Sequence, residues 1–310
     1  MEFKHIPIML SEVIDGLDIK PNGVYLDGTI GGAGHSQEIL KRLNEDGLLI
    51  GVDRDREALN KANEVLSNVG GNFKLVHDNY RNVKAICQSL GVDHLDGILL
   101  DIGVSSYQLD NKDRGFSYRM DAKLDMRMDQ ESGKSAYDIV NTYTKEELEE
   151  VIYKYSQERW ARRIAEFICE YRAEKPIETT FELTDVIKRA IPKKARENKH
   201  PSKKTFQALR IEVNDELGAL NAALQDAIDI LNPDGRIAVI TFHSMEDKIV
   251  KDIFKFNTLD CICPPESIIC TCNHKRKLKL VNNKPLVASE EELKANPRSE
   301  SAKLRIAQRV

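Results

Sequence analysis

The segment Val24-Tyr-Leu-Asp-Gly-Thr-Ile-Gly-Gly-Ala-Gly-His-Ser36 reads as a buried strand running into a glycine-rich turn and then a helix. That arrangement presents backbone amides to a nucleotide cofactor. Its spacing argues against one cofactor class, because a dinucleotide fingerprint that starts at Gly32 needs glycines at 32, 34 and 37, and position 37 is Gln37. At the strand's end stands Asp27, a charge that repels a pyrophosphate and favours a ligand carrying ammonium and sulfonium groups. S-adenosylmethionine is such a ligand. Asp53 closes the apolar run Leu48–Asp53, where a carboxylate that accepts ribose hydroxyls belongs. Asp101 interrupts the apolar run Gly97–Ile102 at what reads as the carboxyl end of a parallel strand, the place where open α/β sheets hold ligands.

These residues need a sheet to position them, and the first hundred residues supply its pattern. Strands are expected at 24–30, 48–52, 73–76 and 97–102, alternating with helices at 35–44, 56–69 and 82–90, which is the signature of a parallel α/β fold. In the second of these helices Ala58, Leu59, Ala62, Val65, Leu66 and Val69 share one face. From about residue 109 the pattern turns irregular, rich in Met and Asp, and then purely helical: Leu148, Ile152 and Tyr155 fall on one face, Trp160, Ile164, Phe167, Ile168 and Tyr171 on another, and Leu183, Val186, Ile187 and Ile191 on a third. A long helix from about 205 to 231 then stops at Asn232-Pro-Asp-Gly235, and the apolar strand 236–242 resumes the sheet. Residues 1–108 and 216–310 are therefore expected to form one discontinuous sheet domain, with 109–215 as a helical insertion. Leu278–Val281 and Leu304–Val310 read as closing strands, antiparallel at the sheet edge.

With 310 residues, 41% hydrophobic and 31% charged, the chain has ample material for a core and no apolar run near the twenty residues of a membrane span. Its start lacks the features of a secretory signal, so a cytoplasmic protein is expected, with no membrane partner. The net charge of −4 conceals strong segregation. Between 188 and 210, nine basic residues (Lys188, Arg189, Lys193, Lys194, Arg196, Lys199, Lys203, Lys204, Arg210) face the single acid Glu197, a local charge of +8 that suits phosphate binding; a solvated helix face would normally alternate sign. Cys87 and Cys169 sit in apolar helical patterns as small buried hydrophobes. Cys261-Ile-Cys263 and Cys270-Thr-Cys272, with His274 beyond, could close a small zinc site, although their spacing is C-x-C where structural sites usually have C-x-x-C; reduced loop thiols are the alternative.

Segment by segment the chain resembles the bacterial small-subunit ribosomal RNA cytosine-N4 methyltransferases. The resemblance rests on His5-Ile-Pro-Ile-Met-Leu, on Asp27-Gly-Thr-Ile-Gly-Gly-Ala-Gly-His-Ser, on Asp101-Ile-Gly-Val-Ser-Ser-Tyr-Gln-Leu-Asp and on Arg114-Gly-Phe-Ser-Tyr. It continues through Leu124-Asp-Met-Arg-Met-Asp129, Glu158-Arg-Trp-Ala-Arg-Arg163, Thr205–Glu216, Phe242-His-Ser-Met-Glu-Asp247 and Asn296–Arg305, and so covers nearly the whole chain. It implies a class I S-adenosylmethionine-dependent methyltransferase with a Rossmann-like sheet and an inserted all-helical domain that recognises RNA. The implied target is the exocyclic amine of a cytidine in the decoding centre of 16S ribosomal RNA, within small-subunit particles. The family's cofactor positions fall on Ala33, Gly34, His35, Asp53, Tyr80, Asp101 and Gln108. The loop amides of 33 to 35 would meet the methionine part, Asp53 the ribose and Tyr80 the adenine face. The family usually has Phe where this chain has Tyr80, many members have Gly where it has Ala33, and the four-cysteine segment 261–272 looks like a subgroup feature.

Methylating cytosine's amine requires acceptors that favour a pyramidal nitrogen, because its lone pair is delocalised into the ring; alignment and electrostatics then supply most of the catalysis. Amine-methylating DNA enzymes carry a Pro-Pro motif after the corresponding strand, and Asp101-Ile-Gly-Val-Ser-Ser-Tyr107 takes its place here without prolines. The acceptor stays open among Asp101, carbonyls near Gly103, and the hydroxyls of Ser105 or Ser106. Tyr107, Phe116, Tyr118 and Phe242 are candidates to hold an unstacked base, each with ordinary packing as its alternative. His243 follows the strand 236–242, where it could take part in catalysis or cap that end. Asp121, Asp125 and Asp129 suit capping or pairing with Arg119 and Arg127, and since methyl transfer needs no metal, none is assigned.

Overall fold

The structure is a computed structural model that describes residues 7–196, 200–267 and 269–310, with the side chain of Ser106 outside the description. The chain divides into two compact units, one made of Met1–Gly103 with Leu217–Val310 and the other of Val104–Glu216.

The first unit carries a seven-stranded sheet with strand order β3-β2-β1-β4-β5-β7-β6. Its strands are β1 (Val24–Asp27), β2 (Leu48–Asp53), β3 (Phe73–His77), β4 (Leu95–Asp101), β5 (Leu231–Thr241), β6 (Leu278–Leu280) and β7 (Lys303–Arg309). β1 to β5 run parallel, whereas β7 is antiparallel to both β5 and β6. Two hydrophobic layers sandwich the sheet, and the strand period of two decides which residue enters which. Leu26, Ile50, Ile98 and Ile237 point to one layer, built with α4 (Val83–Ser89), α11 (Glu216–Ile230) and α12 (Ser244–Asn257). Their neighbours Tyr25, Leu49, Leu99 and Ala238 point to the other, built with α1 (Leu10–Leu17), α2 (Gly34–Leu40) and α3 (Arg56–Val69). Each fully buried Leu or Ile contributes roughly 1.5–3 kcal/mol. β5 differs from the expected strand 236–242 by starting at Leu231: Leu231 pairs with Leu95, the Asn232–Gly235 excursion makes an irregularity, and regular register resumes at Arg236 opposite Gly97.

The second unit is helical, with α5 (Ser106–Asp110), α6 (Ala136–Thr142), α7 (Lys145–Ser156), α8 (Ala161–Glu174), α9 (Thr180–Ala190) and α10 (Lys203–Asn214). Ile139, Leu148, Ile152, Ile164, Ile168, Leu183, Ile187 and Leu209 share its core. It begins at Val104, earlier than the expected 109, because Val104 and Leu109 both pack against that helical core. The expected single helix from 205 to 231 is two helices. Asp215 takes a left-handed conformation (φ 46°) between α10 and α11. A last short helix, α13 (Glu290–Ala295), precedes β7. Among the described residues no helix is long and apolar enough to cross a membrane.

Candidate active site

Parallel pairing brings the carboxyl ends of β1, β2 and β4 to one edge of the sheet, and each of these strands ends in an acid: Asp27, Asp53 and Asp101. The three acids have different surroundings. Asp27 is only 2% exposed, its Oδ1 accepting the Thr29 amide at 3.1 Å and its Oδ2 the Ser36 hydroxyl at 2.7 Å. Burial pushes its carboxyl up to about 6, against the opposing pull of Ser36 and Thr29. Asp27 therefore organises the glycine loop from within, which corrects the expectation that its charge faces a cationic ligand directly.

Asp53 Oδ2 accepts the Gly31 amide and Oδ1 the Asp55 amide, both at 2.9 Å. Each oxygen keeps a second lone pair, enough for a pair of ribose hydroxyls. Burial, helped by the charges of Asp55 and Asp27, raises this carboxyl to about 6.

Asp101 is held by its backbone, whose amide donates to Thr29 Oγ1 at 2.7 Å. Its Oδ2 lies 3.9 Å from His35 Nδ1, and its Oδ1 is buried without a hydrogen-bond partner. Burial, and then the charges of Asp27 and Glu246, push the carboxyl up to about 8. Leaving a buried acceptor unsatisfied costs about 1–3 kcal/mol, so this oxygen marks a place where a ligand's donor belongs.

The loop itself is shaped for close approach. Ala33 adopts a left-handed conformation (φ 59°) with its amide on the Ile30 carbonyl at 2.7 Å, a geometry that explains why glycine serves equally well at this position. A Cβ on Gly34 would come within 2.5 Å of Pro7 Cγ, and one on Gly28 within 2.9 Å of Tyr80 Cβ. Tyr80 starts a 3-10 turn, packs partly into the core and sets its Cβ against Gly28. His35 Nε2 donates to the Ile8 carbonyl at 2.9 Å, which holds the ring with Nδ1 3.9 Å from Asp101 Oδ2.

The remaining predicted residues are placed differently. In the second unit, Ser105 and Gln108 form a capping box at the start of α5: the Ser105 amide donates to Gln108 Oε1 and the Gln108 amide to Ser105 Oγ, both at 3.1 Å. His243 caps α12, with Nδ1 accepting the Glu246 amide at 3.4 Å, the capping alternative of the sequence reading. Of the aromatic candidates, Phe116 lies in the helical core, Phe242 packs partly into the first unit's core, Tyr107 is exposed, and Tyr118 stacks on His200 with ring centres 4.3 Å apart. Arg127 pairs with Asp125 through two bonds of 2.8 and 2.9 Å, Asp129 caps a turn through the Glu131 amide, and Asp121 reaches the Phe181 amide at 3.4 Å.

Sequence reasoning missed Thr29, Ser36 and Glu246. The first two lie inside the glycine-rich segment it singled out, and hydroxyls spaced around a strand-end carboxylate are a signal that could have found them. Glu246 has a weaker signal, its place three residues after the residue that opens α12; it is fully buried and accepts the amides of Phe242 and His243 at 2.8 and 3.1 Å.

The model of the MraW methylase family matches residues 2–310. The chain belongs to the MraW methylase family. It is 57% identical to the ribosomal RNA small subunit methyltransferase H of Finegoldia magna and 55% identical to the protein of that name from Clostridioides difficile, each alignment covering 100% of both chains. A solved rRNA methylase from Streptococcus thermophilus superposes over 100% of this chain and 99% of its own at a TM-score of 0.44 and 11% identity, a distance at which it adds nothing to the topology above. The methyl donor of this MraW methylase is S-adenosylmethionine, and the strand ends fit it: a carboxylate with free lone pairs at Asp53 and the orphaned acceptor of Asp101.

Proposed function

We propose that this methylase transfers a methyl group from S-adenosylmethionine to the N4 amine of a cytidine in the decoding centre of 16S ribosomal RNA, acting on small-subunit particles. The names of its relatives support a ribosomal RNA substrate. The observation that carries the chemistry is the buried, unpartnered Oδ1 of Asp101 at the carboxyl end of β4.

In this reading the amides of Ala33, Gly34 and His35 meet the methionine part of the cofactor, Asp53 the ribose hydroxyls and Tyr80 the adenine face. The cofactor supplies an electrophilic methyl group on a positively charged sulfur. Asp101, once ionised, accepts a hydrogen bond from the cytosine amine and draws its lone pair out of conjugation. The same carboxylate takes the proton that the nitrogen sheds as the N–C bond forms and the methyl group's bond to sulfur breaks. His243 serves through the helix it caps.

The helical unit is assigned to RNA recognition. Supporting this, Tyr118, Arg119, Phe181, Lys188 and His200 line an open groove of about 320 Å³ that joins aromatic faces to cationic side chains. Such a combination suits unpaired bases and their phosphates. Lys193, Lys194, Lys203 and Lys204 of the basic run are exposed, while Glu197 and Lys199 lie outside the described residues.

Radiolabelled methyl transfer onto small-subunit particles, followed by nucleoside analysis, tests the reading. The expected product is N4-methylcytidine. Methylation at a ring carbon would overturn it, because that chemistry proceeds through a cysteine nucleophile and none stands at these strand ends.

A further inference from the structure

Between α12 and β6 the chain runs from Thr258 to Lys277 with no helix or strand among its described residues. A loop of that length inside a compact domain needs its own organising device. It has no apolar one: among its described residues none is buried, and Ile262 and Ile269 are exposed. What the segment does hold is four thiols facing one another.

Cys261 Sγ lies 3.5 Å from Cys270 Sγ and 3.7 Å from Cys272 Sγ; Cys270 and Cys272 are 3.6 Å apart, and Cys263 and Cys270 4.0 Å. All four sulfurs fall within 4.8 Å of one another. A zinc ion holding four thiolates at about 2.3 Å in a tetrahedron has sulfur–sulfur edges of about 3.8 Å, the middle of the observed range. The cysteines are free of disulfides. A four-iron cluster, which occupies the space between its ligands, would hold the thiolates farther apart.

The backbone supplies an independent indication. The amides of Ile262 and His274 donate to Cys272 Sγ at 3.4 and 3.5 Å, that of Cys263 to Cys261 Sγ at 3.4 Å, and that of Thr271 to Cys263 Sγ at 3.4 Å. Those from Ile262 and Thr271 cross from one C-x-C turn to the other. Donors aimed at sulfur stabilise thiolate charge, as the outer partners of metal ligands do. His274, a possible ligand by sequence, instead packs its ring edge-on against Phe256 at 4.8 Å.

We propose that Cys261, Cys263, Cys270 and Cys272 bind one zinc ion that folds this segment. Four protein ligands leave no open position, so the ion is structural and takes no part in methyl transfer. The C-x-C spacing works because two such turns face each other, each contributing two sulfurs. Metal affinity then substitutes for the missing apolar core of the loop.

The test uses the full-length protein purified without chelator, with elemental analysis expected to give one zinc per chain. After chelation, titration with cobalt should produce the visible bands of a tetrahedral tetrathiolate site, and the metal-free protein should be cut by protease within 258–277. The double variant Cys261→Ser/Cys272→Ser should lose the zinc and keep its cofactor affinity. Wild-type protein that takes up neither zinc nor cobalt, with its thiols freely reactive, overturns the proposal. So does iron in place of zinc, or a pair of disulfides; if the double variant is insoluble, the wild-type measurements decide alone.

Discussion

Asp101 shows how a single side chain can be prepared for a cation it has yet to meet. Its carboxyl titrates near 8 because burial and two neighbouring acids disfavour the charge. A cofactor bearing positive charge binds the ionised form, so below pH 8 binding must expel a proton. Cofactor affinity should rise about tenfold per pH unit between roughly pH 6 and 8 and then level off, measured relative to Asp101→Asn, which lacks the titrating group. Calorimetry in buffers of different ionisation enthalpy should count one released proton, and zero would remove Asp101 from the cofactor's surroundings. Asp101→Asn should also lower the maximal rate by roughly tenfold or more at saturating cofactor, the scale of one charge-assisted contact made in the transition state. Asp53→Ala is a contrasting case. It should weaken cofactor binding by about 1.5–3 kcal/mol, read by calorimetry, with RNA binding unchanged.

At the scale of elements, helix starts are set by local chemistry. Ser135 with Asp138, Thr144 with Glu147 and Thr179 with Glu182 form capping boxes that open α6, α7 and α9. The break between α10 and α11 was not legible, since its cause lies far away in sequence. Asn214 Nδ2 donates to the Met126 carbonyl at 2.8 Å, and its Oδ1 accepts the Met128 amide at 2.8 Å. Arg210 meanwhile grips Glu216 through bonds of 2.7 and 2.8 Å, spanning the left-handed Asp215. Asn214→Ala should destabilise the helical unit by about 1–3 kcal/mol in denaturant unfolding, because it strands the buried Met126 carbonyl and removes the acceptor of the half-buried Met128 amide. A loss under half a kilocalorie would show that the junction is held by other contacts.

For the whole molecule, the relevant electrostatic quantity is the distribution of charge rather than its sum. A chain of net −4 is a poor partner for RNA on average, yet it concentrates cations in one stretch of the helical unit. The structure reduces that stretch from its sequence value, because Arg210 is neutralised by Glu216, while Lys188 and Lys204 lie 3.5 and 3.8 Å from Asp185 and Glu158. Neutralising Lys193, Lys194, Lys203 and Lys204 together should flatten the salt dependence of RNA binding. With roughly 0.7 per phosphate contact on single-stranded RNA, the log–log slope should fall by near 3. An unchanged slope would return these lysines to an ordinary solvated surface, and cofactor binding serves as the control.

The sequence by itself determined the parallel sheet, the glycine loop and the three strand-end acids, because strand periodicity, turn chemistry and cofactor spacing act over a few residues. It also carried the family resemblance across nearly the whole chain. Only the tertiary structure decided what each acid does. Asp27, Asp53 and Asp101 look alike in sequence, but Ser36 and Thr29 satisfy the first, two backbone amides leave the second with lone pairs to spare, and the third keeps an oxygen with no partner. The same holds for the cysteines at 261, 263, 270 and 272, whose sulfurs come within 4.8 Å of one another only because the fold sets the two C-x-C turns face to face. Burial and partnership are properties of what surrounds a residue, and those surroundings are assembled from distant parts of the chain.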